Sequence, residues 1–178
     1  SRRRHTRYGT VTGVQTCALP ICGGGGLIIS NFAPLISGTL NVSNQTLTAK
    51  TNWSNSGTVN LAGGFLVGNN LTNNAAATVI GYGTISNLLV NSGNLITTNG
   101  TLTITTAPVQ NGNVTIANNG TLTVIPDWAN TSAISLNGGS LTGGNVTNAS
   151  TGNTITGFGT ITARVVNQAG ATLLATNG

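Results

Sequence analysis

A tetrapeptide, Gly100-Thr101-Leu102-Thr103, that returns about every nineteen residues predicts an all-β chain folded as a parallel β-helix (β-solenoid). Roughly eight coils are expected, each of about 19 residues and three short strands. Two further observations point the same way. Apolar residues alternate with Thr at period two, the beat of a strand with one face inward. Asn, Gly and Ser punctuate these short runs, and only 4 % of the residues are charged, which suits stacked coils of small side chains.

The phrase returns as Gly120-Thr121-Leu122-Thr123, Gly139-Ser140-Leu141-Thr142 and Gly159-Thr160-Ile161-Thr162. Toward the N-terminus it becomes Gly83-Thr84-Ile85-Ser86, then Gly64-Phe65-Leu66-Val67, Gln45-Thr46-Leu47-Thr48 and Gly26-Leu27-Ile28-Ile29. The central apolar residues are thus Ile28, Leu47, Leu66, Ile85, Leu102, Leu122, Leu141 and Ile161, evenly spaced but for one short step from Ile85 to Leu102. A second apolar site follows each of these: Phe32 or Ala33, Trp53, Leu71, Leu89, Val109, Trp128, Val146 and Val165. A third comes after another turn, at Leu40/Val42, Val59/Leu61, Val79, Leu95, Val114/Ile116, Ile134/Leu136, Ile155 and Leu173. Corners between these strands need residues that accept positive φ, which Gly does freely and Asn more readily than most. Asn stacked at one corner of successive coils is expected to hydrogen-bond along the stack.

A longer repeat overlies the shorter one. Ala33-Pro34 returns as Ala107-Pro108, Trp53 as Trp128, Gly63-Gly64 as Gly138-Gly139 and Leu71-Thr72-Asn73 as Val146-Thr147-Asn148. Gly81-Tyr82-Gly83 returns as Gly157-Phe158-Gly159, and every one of these offsets is close to four coils. Two four-coil blocks, roughly residues 33–106 and 107–178, account for this.

The stretch 1–22 follows none of these rules. It holds Arg2, Arg3, Arg4, Arg7, His5, Cys17 and Cys22. Residues 1–21 resemble the translation, in one frame, of a short-read sequencing adapter, with Tyr8-Gly9-Thr10 where the variable index would sit. The resemblance implies that residues 1–22 are not native, that Gly23-Gly24-Gly25 is a junction, and that the solenoid of residues 26–178 is truncated at both ends. Without that stretch the net charge of +5 falls to +1, from Lys50 and Arg164 against Asp127, and no Cys remains. The basic balance is then no signal for nucleic acid, and thiol chemistry is excluded from the repeat.

Coil length, the Asn-Gly-Thr-Leu-Thr phrasing (Asn99 to Thr103, Asn119 to Thr123) and the Asn/Thr/Gly-rich, Cys-free composition resemble large bacterial surface proteins. These are the filamentous-haemagglutinin-type exoproteins and autotransporter passenger domains. The resemblance implies a right-handed helix exported as a stalk or adhesin, secreted or on the outer cell surface of a bacterium. Expected partners are a host or surface glycan or protein and further coils of the same chain at both ends. Nucleic acid and direct membrane insertion are not expected.

Chemistry is sparse in the repeat. Polysaccharide lyases and hydrolases on this scaffold need paired carboxylates or an acidic cluster for Ca²⁺. Outside positions 1–22 there is one carboxylate, Asp127, in a bend after Ile125-Pro126, where capping a turn N–H is its expected role. No catalytic, cofactor-binding or metal-binding residue is assigned, no cofactor is expected, and the chain is read as not an enzyme. Membership in the non-catalytic part of a carbohydrate-active β-helix protein is an alternative. Trp53 and Trp128, at equivalent places in the two blocks, are either core fillers or sugar-stacking platforms. Lys50 and Arg164 are expected to be solvated, and the Asn-x-Thr/Ser triplets follow from composition. The outward pairs Thr84/Ser86, Thr101/Thr103, Thr121/Thr123, Ser140/Thr142 and Thr160/Thr162 form a grid resembling the Thr-x-Thr face of solenoidal ice-binding proteins. Phe65/Val67 and Leu27/Ile29 are expected to interrupt it. Thr is also the ordinary outward residue of a soluble strand.

Overall fold

Strand-forming runs broken by Gly and Asn every few residues leave the chain one economical way to satisfy its backbone: each run pairs with its counterpart in the next coil. The computed structural model describes residues 19–20, 26–30 and 35–178, and among these every element is a β-strand. The strands form a 12-stranded and an 8-stranded sheet, and all pairings are parallel. The smaller sheet stacks the second strand of each coil, from Leu35–Ile36 through Trp53–Asn55, Leu71–Asn73 and onward to Val165–Asn167. The larger sheet takes the other two, because the third strand of one coil often continues around a glycine corner into the first strand of the next. Thr58–Gly68, Asn94–Ile104 and Ala133–Gly143 are such bent double strands. The result is a β-solenoid of about eight coils with three strand positions per coil. Leu19–Pro20 also lies parallel to Leu40–Asn41, so the sheet extends one short rung into the stretch set aside above.

Alternation decides the core. Within one coil Leu47, Ala49, Trp53, Asn55, Val59 and Leu61 all point inward and are buried. The same positions in successive coils form a continuous aliphatic cluster from Leu40 to Ala163. Each fully buried Leu, Ile or Val contributes about 1.5–3 kcal/mol over its exposed state.

The structure corrects several of the expected positions. Ile28 is 62 % exposed; Leu27 pairs with Leu47 and faces inward, so the first phrase is shifted by one position. Leu27 and Ile29 are partly buried against the core and do not interrupt the outer face; Ile28 does. Ile85 pairs with Ile104, not Leu102, which removes the one short step in the spacing. Val109 is 44 % exposed because it pairs with the outward Val90, leaving Pro108 in the inward place. Leu173 keeps register with Ile155 yet is half-exposed on the last rung. Phe32, Ala33 and Pro34 lie outside the described residues.

Asn does stack along the solenoid, and its longest ladder lies inside the coil. The last residue of the second strand is Asn55, Asn73, Asn91, Gln110, Asn130 or Asn148, each essentially buried. Asn55 Nδ2 donates to Asn73 Oδ1 at 2.8 Å, Asn73 Nδ2 to Asn91 Oδ1 at 2.7 Å, and Asn148 Nδ2 to Asn167 Oδ1 at 2.8 Å. Each also reaches a carbonyl of the neighbouring coil: Thr78 O, Asn94 O and Thr172 O respectively. A buried amide costs stability unless its donors and acceptors are met, and here the next coil meets them.

Corner geometry repeats between the halves. Gly81 and Gly157 have φ of 119° and 123°, and a Cβ on them would lie 1.8 Å from Leu61 O and 1.9 Å from Leu136 O. The next residues, Tyr82 and Phe158, pack against Gly63 and Gly138 of the preceding coil.

Two outcomes follow for stability, both readable by chemical denaturation of the full chain. Asn73→Ala leaves one of the two Asn55 Nδ2 N–H groups and the Asn91 Oδ1 without their amide partner and lowers stability by about 2–4 kcal/mol. Asn60→Ala, which removes one half-buried bond to Asn41, lowers it by less than about 1 kcal/mol. Gly81→Ala combines a carbonyl clash with a disfavoured φ and costs at least about 1–3 kcal/mol, whereas Gly152→Ala, whose Cβ meets nothing within 4 Å despite φ of 89°, costs only the backbone part.

Candidate functional surface

The outer face of the first strands carries hydroxyls because Thr and Ser occupy most positions between the buried aliphatics. Strand register sorts them into columns along the solenoid axis. Thr101, Thr121, Ser140 and Thr160 form one column over four coils. Thr46, Phe65, Thr84, Thr103, Thr123 and Thr142 form the next. Ser86 belongs to neither: Thr84 pairs with Thr103, so the expected Thr84/Ser86 pair is displaced by one column from Thr101/Thr103. The displacement arises at the corner, where Tyr82 alone spans the bend that Thr98, Asn99, Gly100 and Thr101 span in the next coil. A two-column hydroxyl array therefore begins at Thr101/Thr103 and runs through Thr121/Thr123 and Ser140/Thr142 to the rung of Thr160 and Thr162.

Most of these side chains are half-buried by their neighbours along the columns, while Thr101, Thr160 and Thr162 are exposed. Thr123 Oγ1 and Thr142 Oγ1 are 2.7 Å apart and hydrogen-bond to each other. Phe65, 45 % exposed, and the partly buried Val67 interrupt the hydroxyls toward the N-terminal end. The array offers hydrogen bonds and methyl groups on a regular, uncharged lattice.

Trp53 and Trp128 are placed elsewhere. Both lead second strands, with 2 % and 6 % of their surfaces exposed, so their rings fill the core and present no face to a sugar. Lys50 and Arg164 are exposed. Asp127 is exposed too, and it bridges coils rather than capping its own turn: Oδ1 accepts the Asn145 backbone N–H and Oδ2 the Asn145 side-chain amide, both at 2.8 Å. These hydrogen bonds, with a smaller contribution from the Arg164 charge, hold the Asp127 carboxyl below its ordinary value of 3.8.

Among the described residues no three His, Cys, Asp or Glu side chains gather as a metal site, and no helix is long and apolar enough to cross a membrane. A cleft of about 410 Å³ at the last rung is lined chiefly by Leu136, Ile155, Phe158, Ile161 and Leu173 and brings no titratable groups together. Comparison with protein-family models, with curated proteins and with solved structures returns no match.

The hydrogen-bonded Asp127 gives a pH dependence of definite sign. A carboxyl whose folded pKa is depressed stabilises the fold above its unfolded pKa and loses that contribution as pH falls through the folded one. Acid titration of stability is therefore expected to show a decline below about pH 4 that Asp127→Asn flattens, measured as the denaturation midpoint against pH.

Proposed function

We propose that residues 26–178 are a structural segment, a spacer or adhesive stalk, of a large secreted or surface-displayed bacterial repeat protein, and that the segment is not an enzyme. The observation that carries this reading is the unbroken core: one aliphatic column and two parallel sheets run through the described coils from Leu40 onward. Such a stack sets a fixed length, about 4.8 Å per coil, and resists unfolding because each coil is held by both neighbours. With Lys50, Asp127 and Arg164 as the charged residues of this segment, its exterior is suited to reach rather than to bond-making chemistry. The resemblance to filamentous-haemagglutinin-type and autotransporter passenger repeats supports export, and the adapter-like residues 1–22 belong to the same proposal as a non-native addition.

A second reading has its own observation. The aligned hydroxyl pairs from Thr101/Thr103 to Thr160/Thr162 repeat at about 4.8 Å between coils and about 6.5–7 Å along the strand. A lattice of that regularity suits an ordered surface such as ice.

Long-read sequencing of the locus through both ends tests the stalk. Further coils of the same repeat, an export signal ahead and an anchor or translocator behind are expected, with codons 1–22 absent. An acidic catalytic region in the flanks would overturn it. For the second reading, thermal hysteresis of the full chain that disappears in Thr103→Tyr/Thr123→Tyr is the expected result; no hysteresis in the parent protein removes it.

A further inference from the structure

We infer that the boundary between the coil of Gln110 and the coil of Asn130 is a joint built into the solenoid, where the second-strand sheet opens while the larger sheet holds. Three independent observations meet there. The first is the amide ladder. Asn55, Asn73 and Asn148 each donate to the amide of the next coil and to one of its carbonyls. Gln110 is one methylene longer, and its Nε2 turns back to Gly112 O of its own coil. Asn91 still donates to Gln110 Oε1, at 3.3 Å, and Asn130 donates onward to Asn148 Oδ1 at 3.0 Å. Between Gln110 and Asn130 the ladder has no rung.

The second is Pro108. At the head of four second strands the inward residue donates its N–H to the next coil: Trp53 to Asn70 O, Leu71 to Leu88 O, Trp128 to Asn145 O and Val146 to Arg164 O. Pro108 holds that place and has no N–H to give. The third is the pairing itself. Trp53–Asn55 with Leu71–Asn73, or Trp128–Asn130 with Val146–Asn148, share three residue pairs; across this boundary only Gln110 and Asn130 pair.

What remains on that side comes from Thr131. Its N–H reaches Gln110 O at 3.3 Å, against 2.9 Å for Asn74 to Asn55 O, 2.8 Å for Ser92 to Asn73 O and 3.0 Å for Ala149 to Asn130 O at the equivalent places. Its hydroxyl bonds Gln110 O and Asn111 Oδ1. On the opposite side Asn113–Ala117 pairs with Ala133–Gly143, and Gly120–Val124 does so too, over nearly full strand lengths. Opening is therefore one-sided, and the rod bends about the larger sheet at this level. The joint lies inside the second sequence block, after its first coil, and it does not depend on what the rod displays.

Residue-resolved amide exchange on the full chain tests the joint. Thr131 is expected to exchange about tenfold or more faster than Asn74, Ser92 and Ala149. Gln110→Asn, which lets the amide reach Asn130, is expected to slow Thr131 toward those values. The reciprocal Asn73→Gln is expected to speed Ser92, the amide bound to Asn73 O. Thr131 as protected as Ser92 in the parent, or unchanged exchange at Thr131 in Gln110→Asn, overturns the inference.

Discussion

Everything in this fold depends on parallel, in-register pairing of each coil with the next. A parallel ladder places residue i of one coil directly over its counterpart about 4.8 Å away, so a side chain is judged chiefly by what lies above and below it. Leu over Leu is favourable at Leu47, Leu66 and Ile85 because each fills the space its neighbours leave. The same constraint turns a buried Asn, ordinarily a liability, into a cohesive element, since the donor of one rung faces the acceptor of the next. It also explains why the segment tolerates so little charge: a stacked column of like charges repels at every rung.

The ladder gives the core direction as well as cohesion. Aliphatic packing alone tolerates small slips, because Leu, Ile and Val substitute for one another at modest cost. An amide offset by one position faces outward and loses both partners. Asn55, Asn73 and Asn91 therefore pin the register that the apolar residues stabilise. The corners do the complementary work: Gly81 and Gly157 admit a carbonyl of the preceding coil where no Cβ fits, so the turns cannot wander between coils.

The repeat and the three strand sites are legible in the sequence because both are periodic, and periodicity survives small errors in alignment. Register is misread where the corner changes length. Gly83-Thr84-Ile85 and Gly100-Thr101-Leu102 look alike in sequence, but Tyr82 spans its corner alone and sets Thr84 beside Thr103 instead of Thr101. Ile28 is misplaced because Leu27-Ile28-Ile29 has no polar residue to mark the outward position. The buried amides carry a signal of their own: Asn stands two places after the second apolar site in Trp53-Ser54-Asn55, Leu71-Thr72-Asn73, Leu89-Val90-Asn91 and Trp128-Ala129-Asn130. In a chain so rich in Asn, a fixed position within the coil is easily read as turn composition. Of the candidate surface, the hydroxyl columns follow from strand alternation, and burial of Trp53 and Trp128 follows from their sharing the second apolar site with Leu71, Leu89 and Val146.

A solenoid built from one repeated solution has no reason to be uniform in stiffness, because a single residue type sets the strength of each inter-coil boundary on each face. Asn at the ladder position ties two coils; Gln, with the same chemical group, ties the amide to its own coil instead. Pro at the head of the second strand removes one more tie without disturbing the core, since Pro108 is itself a buried apolar filler. Rod length is thus set by the number of coils, and the place where a rod yields by two side chains, Pro108 and Gln110, that lie at one strand of one coil. The larger sheet, continuous through that level, keeps the rod intact while it yields. Stiffness and reach are therefore separable properties in this architecture, written at different positions of the same repeat.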